Sequence, residues 1–386
     1  MSSIFFLLRI FAIVGGILTF LHYYLWRRLV KDPGFNNRVG TWAVLVLLLS
    51  FPASRLLAWF SFTLAFPLLW LSYLWLGMLM LFFFLFLFTD CLKILYHSVR
   101  CLLPKKSRLN PSRRQFLSRC FAFSASILVM GISAWGVKKC IDPPTINQFK
   151  INMPGLPKQF KGFKIVQISD IHIGELLLST DLEEIVTLVN SLEPDIVAIT
   201  GDLVDGDMEQ LRMEISPLSR LQAKEGIFFV TGNHEYYSGV EQWLPEIEKL
   251  GIRVLDNRRT EINRGGESFI FAGVNDHQAG IFGEQYAPDF SQALAGIAQG
   301  EKIILLAHQP IAVREAAKYG VDLMLSGHMH GGQIWPFRYL TRLQQPYLKG
   351  FYRRKKTLLF VNQGTGYWGP PMRVGTYKEI TEFVLN

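Results

Sequence analysis

Hydrophobic positions follow two regimes along the chain. Up to residue 137 they run together in long blocks; beyond residue 162 they come in bursts of four to seven that stop at polar clusters. Crossing a hydrocarbon layer takes roughly 20 mostly apolar residues. The blocks at about 4–25, 41–60, 67–89 and 120–137 meet or approach that length, so residues 1–140 read as an anchor of four transmembrane helices. Residues 141–162 hold Pro143, Pro144, Pro154 and Pro157 and read as a linker. In residues 163–386 the runs "FKIVQIS", "DIVAIT", "IFFV", "KIILLA" and "VDLMLS" have no polar alternation, the pattern of strands buried on both faces. Amphipathic stretches at 181–192, 208–223, 240–250 and 310–318 read as helices between them, which predicts an α/β domain.

Composition sharpens this division. Half of the 386 residues are hydrophobic and the formal charge is +9. Residues 1–140 hold sixteen Lys and Arg against Asp32 and Asp90, a balance of +14, while the remainder holds 24 basic and 29 acidic side chains, a balance of −5. A nucleic-acid binder needs clustered cations on its binding domain, so no nucleic-acid partner is expected. Cys91, Cys101, Cys120 and Cys140 all lie in the first 140 residues, which leaves the domain without thiolate ligands or disulfides. Lys and Arg collect in 26–40 and 90–119, and such segments face the cytoplasm. A multi-pass protein of the inner or cytoplasmic membrane follows, with the domain after residue 140 outside; Lys138 and Lys139 argue the other way. "SRRQFL", Ser112 to Leu117, ahead of the last block resembles a bacterial twin-arginine export signal. Within the blocks Arg9 and Arg55 are the only Lys, Arg, Asp or Glu residues and both sit near ends, so the helices hold rather than conduct.

The bursts end on chemistry. They stop at Asp170-Ile171-His172, Gly201-Asp202, Gly232-Asn233-His234-Glu235, His308-Gln309 and Ser326-Gly327-His328-Met329-His330. Ligands in α/β sheets gather beyond the carboxyl ends of strands, and five of the domain's six histidines stand there. Imidazole and carboxylate without sulfur suit Mn, Fe or Zn. The histidines there, His172, His234, His308, His328 and His330, with Asp170, Asp202 and Asn233, offer more ligands than one ion needs and fit two divalent ions sharing a carboxylate, a clamp for displacement at phosphorus.

This order of motifs resembles the calcineurin-like metallophosphoesterases over roughly residues 160–386, and "HGGQ" with "NQGTGYWGPPMRVGTYKEIT" resembles that family's membrane-anchored bacterial branch. The resemblance implies a four-layer sandwich of two mixed sheets flanked by helices. It implies one metal on Asp170, His172 and His330, a second on Asn233, His308 and His328, and Asp202 bridging. Glycines 327, 331 and 332 are expected to let the last loop turn sharply. The expected chemistry is attack by a metal-bridging hydroxide on a phosphate mono- or diester, with His234 as general acid. Asp205, Asp207, Asp276 and His277 read as solvated turn residues. Residues 337–356 interleave aromatics with Lys and Arg, which suits a bilayer interface and a lipid-linked or envelope substrate, or else a hairpin packed on the domain. The rival functions are a pyrophosphatase of lipid A synthesis that cleaves a diacylated UDP-glucosamine at a cytoplasm-facing site, and a non-catalytic tethered metal-binding protein.

Overall fold

A computed structural model describes residues 2–100 and 110–386. It forms two compact units, one up to Val137 together with Pro370–Met372, the other Lys138–Gly369 together with Arg373–Asn386.

The first unit is helical: α1 (Ser2–Trp26), α2 (Asn37–Phe60), α3 (Phe62–Arg100) and most of α4 (Pro111–Ile141). Asn36 starts α2 by accepting the amides of Arg38 and Val39 on its side-chain oxygen, which supplies a partner to donors the helix cannot satisfy itself. The only two acidic residues of the anchor sequence, Asp32 and Asp90, both pair with Arg28, at 3.3 and 3.0 Å. Among the described residues three helices are long and apolar enough to cross a membrane, within Asn37–Phe60, Phe62–Val99 and Pro111–Ile141, against the four expected. The first expected span, 4–25, lies in α1, where the side chains up to residue 11 fall outside the described residues. Part of the expected loop 90–119 is helix instead: α3 continues to Arg100, and Ser112–Leu117 lies in the first turns of α4. Residues 101–109 of that loop, with Cys101, fall outside the described residues.

The second unit carries β1 (Thr145–Ile151), β2 (Lys164–Ile168), β3 (Ile173–Gly174), β4 (Ile196–Ile199), β5 (Val204–Asp205), β6 (Gly226–Phe229), β7 (Arg253–Val254), β8 (Arg258–Arg264), β9 (Glu267–Gly273), β10 (Ile303–Leu306), β11 (Leu323–Ser326), β12 (Gly350–Arg354), β13 (Thr357–Val361) and β14 (Glu379–Leu385). Its helices are α5 (Ser179–Ser191), α6 (Met208–Leu211), α7 (Asn233–Tyr237), α8 (Val240–Lys249), α9 (Phe290–Leu294), α10 (Val313–Ala316) and α11 (Arg338–Gln344). Two six-stranded sheets run β1-β14-β2-β4-β6-β7 and β12-β13-β11-β10-β9-β8. Both are mixed, because β14 is antiparallel to β2 and the edge strands β8 and β12 are antiparallel to their neighbours.

Alternate residues of each strand point to opposite faces, and here both faces are apolar. Ile165, Ile196, Ala198 and Phe228 face the second sheet, where they meet Phe269, Phe271, Ile304, Leu306, Leu323 and Leu325. Val166, Val197, Ile199 and Phe229 face outward to Leu182, Ile185 and Val189 of α5 and Trp243 and Ile247 of α8. Ile303, Leu305 and Met324 pack outward against Leu294 of α9 and Val313 and Ala316 of α10. The result is the helix-sheet-sheet-helix order expected.

Three local expectations need correction. The linker 141–162 contains β1, paired in parallel with β14; its prolines flank the strand and leave every amide of the ladder in place. The expected helix 208–223 breaks into α6 and a 3-10 turn, Ser216–Arg220, because Pro217 cannot continue a helix. The expected helix 310–318 is likewise a 3-10 turn, Pro310–Ala312, followed by the four-residue α10.

Candidate metal centre

The parallel strands β2, β4, β6, β10 and β11 end in one place, and their ends bring the expected donors together. Asp170, His172 and His330 form one group of potential ligand atoms, and Asp202, His308 and His328 a second. Asp202 stands between them: its Oδ2 is 3.0 Å from His308 Nε2 and 3.7 Å from His172 Nε2. The two imidazoles of the first group approach with Nε2 atoms 3.0 Å apart, and His330 Nε2 lies 3.5 Å from Asp170 Oδ1. In the second group His328 Nδ1 lies 3.2 Å from His308 Nε2. Asn233, at the first position of α7, is buried, and its Oδ1 has no hydrogen-bond partner.

The backbone is bent to aim these groups. Asp170, His172, Asp202, His328 and His330 all have positive φ, between 47° and 73°. Such residues cost roughly 1–2 kcal/mol each, so the loops are held by other bonds. His308 Nδ1 donates to the Thr200 carbonyl at 2.7 Å, which fixes the tautomer and turns Nε2 toward Asp202. The Asp170 carboxylate accepts from Ser169 Oγ and from the His328 amide, joining the ends of β2 and β11. Glycines 331 and 332 have positive φ as the tight turn requires, but Gly327 acts differently: a Cβ there would land on the Asp170 carboxylate.

Electrostatics favour a cation. Burial brings His172 down to about 4; burial, with the charge of His308, brings His328 to about 3, so these rings carry free lone pairs at neutral pH. Burial and the neighbouring His172 hold His330 well below its ordinary value. Burial works against charge on Asp202, yet His308 and the other imidazoles hold its carboxyl well below the usual range. Burial likewise opposes a proton on His308, and the Asp202 carboxylate overrides it and raises the ring well above its ordinary value. Burial pushes Asp170 up to about 6. Nitrogen facing nitrogen at 3.0 and 3.2 Å requires a proton or a cation in between, and the unpartnered Asn233 oxygen adds a further donor. Divalent Mn, Fe or Zn fits this set of imidazole, carboxylate and amide donors.

His234 lies beside the two groups, its ring centroid 4.6 Å from that of His172. Burial disfavours its proton, but Asp205 Oδ1 at 3.0 Å from Nδ1 raises the ring above its ordinary value. Asp205 therefore belongs to the site, contrary to its expected place among solvated turn residues. It is carried there by β5, whose register places it opposite Gly174 of β3. Asp276 is also no surface residue: it is fully buried, accepts from Gln309 Nε2 at 3.1 Å and keeps Oδ2 without a partner. Asp207 and His277 are exposed, as expected.

Two positioning groups carried no expected role. Glu235 is fully buried and accepts four amides, those of Leu203 (2.7 Å) and Val204 (3.3 Å) on Oε1 and of Asp202 (3.0 Å) and Gly232 (2.6 Å) on Oε2. It ties the loop after β4 to the loop after β6. Arg373 is fully buried and donates to the carbonyls of His330, Gln363, Gly364 and Gly366, holding the last histidine loop to the turn after β13. Burial lowers it to about 10, so it stays cationic at neutral pH.

Residues 163–332 match the family model described as calcineurin-like phosphoesterase. A transmembrane protein with metallophosphoesterase domain from Danio rerio is 33% identical over 406 residues, covering 100% of this chain and 90% of that one. An uncharacterised metallophosphoesterase of Helicobacter pylori is 37% identical over 70% of this chain and 71% of its own length. One of Bacillus subtilis is 33% identical over 71% of this chain and 98% of its own. With the ligand groups assembled at the strand ends and a helical region fit to enter a membrane, the chain belongs to the calcineurin-like metallophosphoesterase family and is a metal-dependent phosphohydrolase.

Proposed function

We propose that the chain is a membrane-anchored phosphoesterase that hydrolyses phosphate mono- or diesters of a lipid-linked or envelope kind. The observation that carries the reading is the position of Asp202 between two groups of imidazoles, 3.0 Å from one and 3.7 Å from the other. Asp170, His172 and His330 would hold one divalent ion and Asn233, His308 and His328 a second, with Asp202 shared. When bound, such ions supply Lewis acidity toward phosphoryl oxygens and water. His234 holds a proton for the leaving alkoxide: Asp205 keeps Nδ1 protonated and leaves Nε2 as the donor, a role worth roughly two to four orders of magnitude.

The lipid-linked substrate draws support from residues 335–344. Trp335, Tyr339, Leu340 and Leu343 are all exposed, Leu343 at 85%, beside Arg338 and Arg342 on α11. Apolar and basic side chains exposed together suit a bilayer surface with anionic head groups. Residues 350–361 behave otherwise, as a hairpin whose Phe351 packs on Phe149 and Phe360, at 5.0 and 4.8 Å. The interfacial reading is therefore confined to the helical half of 337–356.

The test is metal content and hydrolysis of the full-length protein, with bis-p-nitrophenyl phosphate against p-nitrophenyl phosphate. Two equivalents of divalent metal and chelator-sensitive turnover are expected; one ion or none, with no turnover, ends the reading. His234→Gln should keep both metals and lose turnover mainly on alkyl esters. A reporter fused to the C-terminus should report an extracytoplasmic domain, and a cytoplasmic signal would favour the nucleotide-sugar pyrophosphatase alternative.

A further inference from the structure

The side of the site where His234 stands is walled by aromatic rings that the reaction does not use. Trp368 is 51% exposed and Tyr237 58%, and their rings lie 5.6 and 5.2 Å from the His234 ring at interplanar angles of 65° and 70°. Phe282, 45% exposed, continues the wall 5.7 Å beyond Tyr237, beside the 80% exposed Ile281. An exposed aromatic is unremarkable singly. This one is fixed.

Trp368 is held at three points. Its Nε1 donates to Asp205 Oδ2 at 2.9 Å, its amide donates to Gln333 Oε1 at 3.2 Å, and its carbonyl accepts from Gln333 Nε2 at 2.8 Å. Gln333 is the residue that follows the last histidine turn, and Asp205 is the residue whose other oxygen holds His234. A large apolar face is thus locked in place by the same two loops that set the ligands and the proton donor, while its flat surface stays open to solvent. Pre-ordering a ring in this way removes the entropy that binding would otherwise cost.

Resting on the phosphoesterase reading above, we infer that Trp368, Tyr237 and Phe282 form the leaving-group platform of the site and select phosphate esters whose leaving alcohol carries an apolar body. The argument is positional. A group that gives its proton to the leaving oxygen must stand against that oxygen, so whatever the oxygen is attached to extends over the surface next to His234. That surface offers the Trp368 and Tyr237 rings 5.6 and 5.2 Å from the His234 ring, and the Asp205 carboxylate beside them is spent on two hydrogen bonds. A hydrocarbon next to the ester oxygen gains there, and a polyol, whose hydroxyls lose water against the rings, gains less.

Ethyl, butyl, octyl and 2-phenylethyl phosphate present alcohols of similar acidity and differ chiefly in apolar area. With full-length, metal-loaded protein in nanodiscs, kcat/KM should rise about twofold per methylene, half of the roughly fourfold expected for complete burial, giving roughly 60-fold from ethyl to octyl. Trp368→Ala should reduce that ratio to below about tenfold, and Trp368→Phe, which keeps a ring and loses the Asp205 bond, should retain most of it. Phe282→Ala, at the outer edge and without a polar role, should lower the ratio about twofold to fourfold even if the tryptophan variants fold poorly. A steeper gain for 2-phenylethyl than for an alkyl chain of equal area would name an aromatic alcohol as occupant, and the reverse a lipid alcohol. Wild-type rates that do not change along the series, or ratios untouched by both Trp368→Ala and Phe282→Ala, overturn the inference and leave the phosphoesterase reading intact. No hydrolysis of any ester overturns both.

Discussion

Replacing Glu235 with Gln changes one oxygen into an amide and tests whether this carboxylate holds the site together. Both Glu235 oxygens accept two backbone amides, at 2.6–3.3 Å, in a fully buried position. Whichever oxygen becomes NH2, two N–H groups then face a donor and lose charge-assisted bonds worth about 1.5–3 kcal/mol each, a gross loss of about 3–6 kcal/mol. Against this, burial and the neighbouring Asp202 charge push the Glu235 carboxyl up to about 7, so its ionised form carries a cost that the amide does not. The net loss should fall near the lower end, about 3 kcal/mol, or roughly 6–12 °C in Tm for a domain of this size. The sharper assay is hydrogen exchange of the full-length protein. Amides of 202–204 and 232 should exchange on the order of 100-fold faster, since each 1.4 kcal/mol is a factor of ten, while β10 and β11 stay protected. Bound metal should fall with it, because the Asp202 amide is one of the four that this carboxylate anchors. A Tm change under about 2 °C with unchanged exchange at 202–204 would refute the reasoning.

Three further outcomes follow from separate parts of the molecule. Asp205→Asn removes the charge 3.0 Å from His234 and should cost about 10–100-fold in kcat on alkyl esters, with far less on p-nitrophenyl esters, whose leaving group needs no proton; equal losses on both would count against His234 as the acid. Burial opposes ionisation of Asp195, but the Lys164 amide, Arg264 and Lys224 outweigh it and lower its carboxyl. A depressed carboxylate contributes stability above its unfolded value near 4 and loses it as pH falls through the lower folded value; melts below about pH 4 should therefore show a smaller decline for Asp195→Asn than for wild type. Residues 337–344 should exchange hydrogen more slowly in nanodiscs of anionic than of zwitterionic lipid, and Arg338→Gln with Arg342→Gln should erase the difference; identical exchange in both lipids would exclude a bilayer role for α11.

How far the chain could be read before its structure depended on where each residue finds its partner. β2, β4, β6, β10 and β11 are buried on both faces, so their apolar runs are continuous and visible without any knowledge of the sheet. The edge strands β1, β8 and β12 carry alternate polar residues and look like loop, which is why β1 was hidden in an expected linker. The metal-site donors sit directly after the readable strands and inherit their visibility. Asp205, Trp368 and Arg373 do not: their partners lie 29, 163 and 43 residues away, and only the closed sandwich joins them. Asp276 was legible in principle, because "FIFAGV" is β9 and ends in Asn275-Asp276 just as the other bursts end in donors.

The same comparison explains why the donors needed so much unannounced support. Five of them sit in a backbone region that L-residues avoid, and at roughly 1–2 kcal/mol each that conformation is comparable to a typical domain's whole stability. Loops so placed would relax unless their amides and carbonyls were fixed elsewhere. Glu235 fixes the amides after β4 and β6, Arg373 the carbonyls after β11 and β13, and Ser169 with the His328 amide the carboxylate after β2. Each clamp bridges two strand ends of different sequence position, so none could relax alone without loosening a neighbour. The ligand geometry is therefore a property of the closed ring of loops, and a substitution at a clamp should disturb donors it never touches.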